Sequence, residues 1–322
     1  MKKALLNRIV VGAIVGIFMV AMVVMAAMSR HYKFLREFQA LIISALMLIS
    51  VIEMRRALGK ERIPNKFSWI IWAYGIGIGP AYILFGYVGI VFFTLLLFAF
   101  STITALSVNR ADSLLYVAFI FIYPGLFLAS MLYINRCAST QYISAESPLY
   151  DYIVVDSWSL VKGQRYSQLL PYNAIGYAFI FAVSALTDVF AFFAGITFGK
   201  RKLCPAISPK KTVEGAIGGI FGGLIGSAIV YLVFEVWQVF GKGLGLGIHG
   251  LSPVNLMLVY LVIGLVGSVL TQIGDLLASL IKRYCGIKDY GTILGAHGGI
   301  MDRFDGIMLN AVFVATVYMF II

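Results

Sequence analysis

The segment AHGGIMDRFDG, residues 296–306, gathers His297, Asp302, Arg303 and Asp305 beside the pair Gly298 and Gly299. Carboxylates are hard oxygen donors that suit Mg²⁺ rather than a soft metal, and Mg²⁺ commonly takes one or two carboxylates plus substrate phosphates. Asp302 and Asp305, three residues apart, share one side if they occupy the first turn of a last helix. The glycine pair lets backbone approach a ligand closely. His297 divides evenly between orienting a ligand and completing a turn.

Two further stretches carry groups of the same kind. Thr271, Asp275 and Ser279 recur every fourth residue along an apolar segment, with Lys282 and Arg283 on the next turn and Lys288 and Asp289 beyond. A polar stripe on an otherwise apolar helix faces protein or water rather than lipid. Asp188 lies in the apolar segment ALTDVFAFFAGITFGKRK, directly before GKRKLCPAISPKKTVEG, which holds Lys200, Ser208, Lys211, Thr212 and Glu214. Thr212 fits the N-cap of a following helix. Basic residues and free N–H groups at a helix start also favour phosphates. Acids, lysines and arginines in this company imply nucleotide or phosphoryl transfer, in which an ionised phosphate nucleophile requires positioning and charge neutralisation rather than a Ser/His/Asp arrangement. No Walker loop, GxGxxG after a strand or HExxH helix accompanies them.

The elements that must hold these groups are read from composition. The 322 residues are 61% hydrophobic and 12% charged, with a mean hydropathy of +0.94, outside the range of soluble domains. The sequence therefore predicts an all-α polytopic membrane protein. A hydrocarbon core about 30 Å thick needs about 20 apolar residues per helix. Nine stretches qualify: 9–28, 38–52, 69–84, 86–106, 113–134, 172–198, 214–238, 255–281 and 305–322. The first is a retained span rather than a cleaved signal, since its apolar run is long and lacks a small-residue cleavage site.

Charge sets the orientation. Lys and Arg number 18 in loops on the side of the N-terminus and 7 on the other, which places the N-terminus in the cytoplasm and the C-terminus opposite. Loops 199–213 and 282–304 then share the cytoplasmic face. The net charge of +11 follows from topology and needs no nucleic acid. Three blocks result: residues 1–134 with about five helices, an outer loop at 135–171, and a C-terminal catalytic region at 172–322 with about four. Gly215, Gly219, Gly223 and Gly218, Gly222, Gly226 form small-residue rows suited to close helix packing, within the chain or between two copies. Cys137, Cys204 and Cys285 show neither a disulfide framework nor a metal pattern.

The run SLIKRYCGIKDYGTILGAHGGIMDRFD, residues 279–305, resembles the signature of the phosphatidate cytidylyltransferase (CDP-diacylglycerol synthase) family, with its S, KR, KD, HGG and DRxD at fixed spacings. The Asp188 segment ending FGK and the element SPKKTVEG are similar to the family's upstream pieces, whereas Val189, Phe190 and Val213 depart from it. The resemblance covers residues 172–322. It implies the reaction of CTP with phosphatidate to give CDP-diacylglycerol and pyrophosphate at the bacterial cytoplasmic membrane, with the site facing the cytoplasm.

Carried over by motif, Asp275, Lys282, Arg283, Asp302 and Arg303 would be catalytic. Asp188, Asp275, Asp302 and Asp305 would bind metal, two Mg²⁺ ions with a monovalent cation admitted. Lys200, Ser208, Lys211, Thr212, Glu214, Ser279, Lys288, Asp289, His297, Gly298 and Gly299 would contact substrate. The family resemblance also suggests a homodimer. Two other readings stay open at this point: a related transferase acting on a polyprenol or archaeal lipid, and a cation transporter whose intramembrane acids conduct ions.

Overall fold

The computed structural model describes residues 2–29, 31–136, 138–141, 168–171, 173–240, 245, 246, 248, 251–295 and 298–321. Its elements are α1 (Lys2–Met28), α2 (Lys33–Arg62), α3 (Ser68–Val108), α4 (Ala111–Ile120), α5 (Phe127–Arg136), β1 (Ala138–Gln141), β2 (Gln168–Pro171), α6 (Asn173–Ala178), α7 (Ser184–Phe198), β3 (Lys202–Cys204), β4 (Ser208–Thr212), α8 (Val213–Tyr231), α9 (Pro253–Tyr284) and α10 (Met301–Ile321). Wider helical turns at Phe121–Leu126 and Phe179–Val183 join α4 to α5 and α6 to α7. The protein is an integral membrane protein of the all-α class.

Among the described residues, eight helical segments are long and apolar enough to cross a membrane. One of them, Asn65–Val108, has 44 residues, about twice the length one crossing needs. It folds back at Gly86, whose φ of 61° and ψ of −146° no helix accommodates. The rings of Trp69 and Phe100 lie 5.9 Å apart, and Gly77 packs under the ring of Phe93. Arg110 donates to the Glu61 carbonyl at 2.8 Å, so both ends of the segment lie at one face. Counted as two antiparallel arms, it gives the nine crossings that hydropathy predicts.

The second span is longer than expected. Hydropathy places it at 38–52, but α2 runs from Lys33 to Arg62, broken only at Gly59. Its last turns are partly buried: Glu53 is 1% exposed and Met54 and Leu58 are buried, while Arg56, Lys60 and Glu61 are exposed. The loop read at 199–213 is likewise more ordered than its charge suggested. β3 and β4 pair as an antiparallel hairpin, with Lys202 opposite Thr212 and Cys204 opposite Ser208. At the other face β1 and β2 pair, from Ala138 opposite Pro171 to Gln141 opposite Gln168, which closes the neck of the outer loop. Residues 142–167 lie outside the described residues.

The glycine rows of α8 pack between α7 and α9, with Gly215 against Ala191 and Gly195 of α7. Gly218 and Gly222 abut Ala194, Phe190 and Leu186 of α7, and Gly226 meets the backbone of Ala182 and Val183, while Gly219 and Gly223 abut Gln272 and Ser268 of α9. A glycine at each contact lets the backbones approach closely without a hydrophobic drive between helices. The packing is therefore internal. Gly274 of α9 does the same against the backbone of Asp305 and Gly306 in α10. A buried polar core ties the layers together: Asn310 donates to Ser184 at 3.1 Å, and the hydroxyls of Ser184 and Thr271 lie 3.0 Å apart.

Candidate active site

The carboxylates predicted from sequence are carried by α7, α9 and the first turns of α10, and Lys211 reaches them from the β3–β4 hairpin. Asp275 points from α9 to Lys211 of β4, whose ammonium lies 2.5 Å from its Oδ2. Ser279, one turn further, donates to Asp275 Oδ1 at 3.5 Å. Arg283 donates to the Ile207 carbonyl in the hairpin turn at 3.3 Å. These contacts bring the 199–213 and 282–304 segments to the same face, as loop parity requires. Thr271, the first member of the polar stripe, is fully buried and belongs to the core network instead.

Asp302 is in a different situation. Its Oδ1 takes the Lys282 ammonium at 2.9 Å, and its Oδ2 accepts the backbone N–H groups of Tyr290 at 2.8 Å and Gly299 at 2.9 Å. Only 5% of its side chain is exposed. A buried carboxylate needs this many donors to offset desolvation. Asp302 thereby fastens the 285–300 loop to the first turn of α10. Lys282 also sits 5.4 Å from the centre of the Tyr290 ring. The Tyr290 hydroxyl donates to the Ala278 carbonyl at 2.9 Å, and burial raises its proton affinity well above the ordinary phenol value, so it stays a neutral donor.

Asp188 and Asp305 complete the acid group. Asp188 is exposed on α7 and lies in electrostatic range of Asp275, Lys211 and Arg303. Asp305, in the first turns of α10, feels Asp275, Lys282 and Asp188 and accepts the Gly306 N–H at 2.8 Å. Asp188, Asp275 and Asp305 thus lie within electrostatic range of one another, with Lys211 as the close cation on Asp275. Among the described residues, no three His, Cys, Asp or Glu side chains converge into a metal cage.

The basic element beside the recess is braced by its own polar residues. Thr212 caps α8, accepting from Gly215 N at 3.1 Å. Glu214 accepts the N–H groups of Lys200 at 3.0 Å and Arg201 at 3.2 Å, so its carboxylate holds the turn that leaves α7. Ser208 opens β4. The side chains of Lys200, Arg283, Lys288, Asp289 and Arg303 are exposed around the recess or on the turn after α9. His297 lies outside the described residues.

The glycine pair makes room for side chains of the protein itself. Gly298 adopts a φ of +78°, and a Cβ there would lie 2.6 Å from Asp302 Oδ2; Gly299 is pressed against Glu53. The space they leave is filled by two carboxylates of the protein itself. The geometry is decided by packing that spacing does not reveal.

Residues 7–321 match the family described as the cytidylyltransferase family. The chain belongs to the cytidylyltransferase family. Within it, 130 residues are 45% identical to the phosphatidate cytidylyltransferase of Staphylococcus saprophyticus, over 40% of this chain and 44% of that protein. The proteins of that name from Staphylococcus aureus and Staphylococcus epidermidis are 41% identical over 134 residues and 42% identical over 130, again covering 40% of this chain and 44% of theirs. The matched region thus spans less than half the length of these curated relatives.

Membership of the cytidylyltransferase family extends through both halves of the chain, and so do the residues around the recess. Two of them come from the N-terminal half and escape sequence reasoning. Glu53 accepts the N–H of Ile300 at 3.2 Å and of Met301 at 2.8 Å. Tyr123, in the wide turn between α4 and α5, has a buried hydroxyl with no hydrogen-bond partner among the described residues, and the charges acting on it are Asp305, Asp275 and Asp302. The one signal for Glu53 is a carboxylate a single residue beyond an apolar run. Nothing in the spacing marks Tyr123.

Proposed function

We propose that this chain is a CTP:phosphatidate cytidylyltransferase, forming CDP-diacylglycerol and pyrophosphate in phospholipid synthesis. The observation that carries the reading is the Lys211–Asp275 and Lys282–Asp302 pairing at one membrane face, beside the basic hairpin. Family membership and the names of the relatives support it. The basic residues grouped with the acids favour phosphate chemistry over ion conduction, for which intramembrane acids alone would serve.

In this mechanism phosphatidate enters sideways from the cytoplasmic leaflet with its acyl chains in lipid. One of its phosphate oxygens attacks the α-phosphorus of CTP, the bond to the β-phosphate bridging oxygen breaks, and pyrophosphate leaves to the cytosol. The nucleophile is already ionised, so no side chain has to take its proton. Lys211 exchanges its carboxylate partner for a triphosphate oxygen, and Lys282, Arg283 and Arg303 gather the remaining negative charge. Asp302 holds Lys282 and the 285–300 loop in place. Thr212 and Glu214 keep the hairpin rigid beside the nucleotide.

The acids fit Mg²⁺ as half of a coordination shell. They are hard oxygen donors without His or Cys among them, and Mg²⁺ takes one or two carboxylates with substrate phosphates completing its shell. Asp275, Asp188 and Asp305 would hold it, with Asp302 behind them. When bound, Mg²⁺ neutralises charge developing on the pyrophosphate. The cytoplasmic orientation rests on the loop charges, and the homodimer on the family resemblance; the glycine rows, consumed inside the chain, lend it nothing.

The test is purified protein given labelled CTP and phosphatidate with and without Mg²⁺. Lipid-linked CMP formed only with the metal is the expected result. Its absence in the complete mixture would overturn the reading, and transfer to a polyprenol phosphate instead would replace the lipid. Mass measurement in nanodiscs checks the dimer.

A further inference from the structure

The start of α10 is held by a residue from the opposite end of the chain. Glu53, 1% exposed, reaches from α2 to accept the N–H groups of Ile300 and Met301. The first N–H groups of a helix have no partner within it, and in a membrane each one left open is costly. The fit around the carboxylate is close on the other side as well. Both Gly291 and Gly299 abut it, and a Cβ at either would collide with it. Asp302 then secures the same turn through Gly299 N. The helix start that carries Asp302, Arg303 and Asp305 is therefore clamped between an acid of its own and an acid of α2.

We infer that Glu53 is a positioning residue of the site: its carboxylate fixes the first turn of α10 so that Asp302 keeps Lys282 and Asp305 keeps its place near Asp275 and Asp188. This rests on the transferase reading for what the site does, though not for where the turn is held. Both carboxylate oxygens of Glu53 are taken up by backbone N–H groups, so it is assigned to neither metal nor substrate. Its effect is on how well the acids are arranged, and hence on how much Mg²⁺ is needed.

The full chain in lipid nanodiscs is compared with Glu53→Gln, which keeps one acceptor, and Glu53→Ala, which keeps none. Backbone exchange of the 298–306 peptide should quicken by about tenfold in the alanine variant and less in the glutamine one. The Mg²⁺ concentration giving half-maximal CMP transfer should rise by about fivefold in the alanine variant, with partial rescue by glutamine. Unchanged exchange would overturn the inference. So would a lower maximal rate at an unchanged Mg²⁺ midpoint, since loss of folded protein scales amplitude alone. If wild-type protein transfers no CMP, the transferase reading fails separately, and the exchange measurement still decides whether Glu53 seats the turn.

Discussion

Asp275 and Asp302 differ in what their removal should do. Asp275 is about one-third exposed and pairs with Lys211 across an open recess, and such pairs contribute at most about 1 kcal/mol to stability. Asp275→Asn is expected to leave the apparent Tm nearly unchanged and to lower kcat by about 10²-fold or more, as loss of a preorganised charge does. Asp302 is buried, and its carboxylate satisfies Lys282 and two backbone N–H groups. Asp302→Asn abolishes the same activity but also costs about 3 kcal/mol, because it leaves a buried ammonium without its partner. Thermal unfolding alongside CMP transfer separates the two. Equal Tm values for both variants would refute this division of labour.

At the scale of elements, the site depends on how closely α8 can lie against α7 and α9. Gly222 sits against the Leu186 carbonyl and the Phe190 side chain, with no room for a Cβ. Gly222→Val forces the helices apart and should destabilise the protein by about 1–3 kcal/mol. The displacement moves the hairpin that carries Lys211, so activity falls although the substitution lies well away from the acids along α8. A variant with wild-type Tm and activity would show that the row is not needed for packing. A valine at Gly16, where a Cβ meets nothing within 4 Å, serves as the control.

At the scale of the whole molecule, folding back at Gly86 decides which loops meet. With α3 as two crossings, the segments around Glu61, Arg110, Ile207 and Arg283 share a face, joined by Arg62 over the Tyr284 ring, and Ser29, Asn135 and Asn173 share the other. Native cysteines report on this. In single-cysteine variants, a membrane-impermeant maleimide should label Cys204 from the cytoplasmic side only. Cys285 belongs to the same face, but burial raises its thiol pKa above the ordinary value. The thiolate is the reactive form, so a raised pKa means less of it at neutral pH. Labelling of Cys285 should be slower than that of Cys204 and should continue to accelerate at higher pH. Labelling of Cys204 from the outside would reverse the topology.

Much of this architecture is legible in the order of residues. Nine apolar runs and the Lys/Arg bias assign the crossings, because crossing a bilayer constrains length and composition locally. The acids and lysines of the site were visible for the same reason: charge is costly in hydrocarbon, so each intramembrane Asp marks a place where partners gather. The C-terminal motifs also carried the family. Their roles were less legible. Asp302 reads as a metal ligand by spacing, and only its three donors show how far it is committed to the protein. Gly298 and Gly299 read as room for a ligand, and only the placement of Glu53 and Asp302 shows what fills that room. Hydropathy ended the second span at residue 52 because it weighs residues against lipid. Tertiary packing instead buries Glu53 against the backbone of a helix nearly 250 positions away, a partner no local pattern contains. The sequence alone marked where charge gathers within a membrane bundle; the tertiary structure decided which carboxylates pair with a single lysine and which are taken up by backbone N–H groups, because that depends on donors brought in from distant segments.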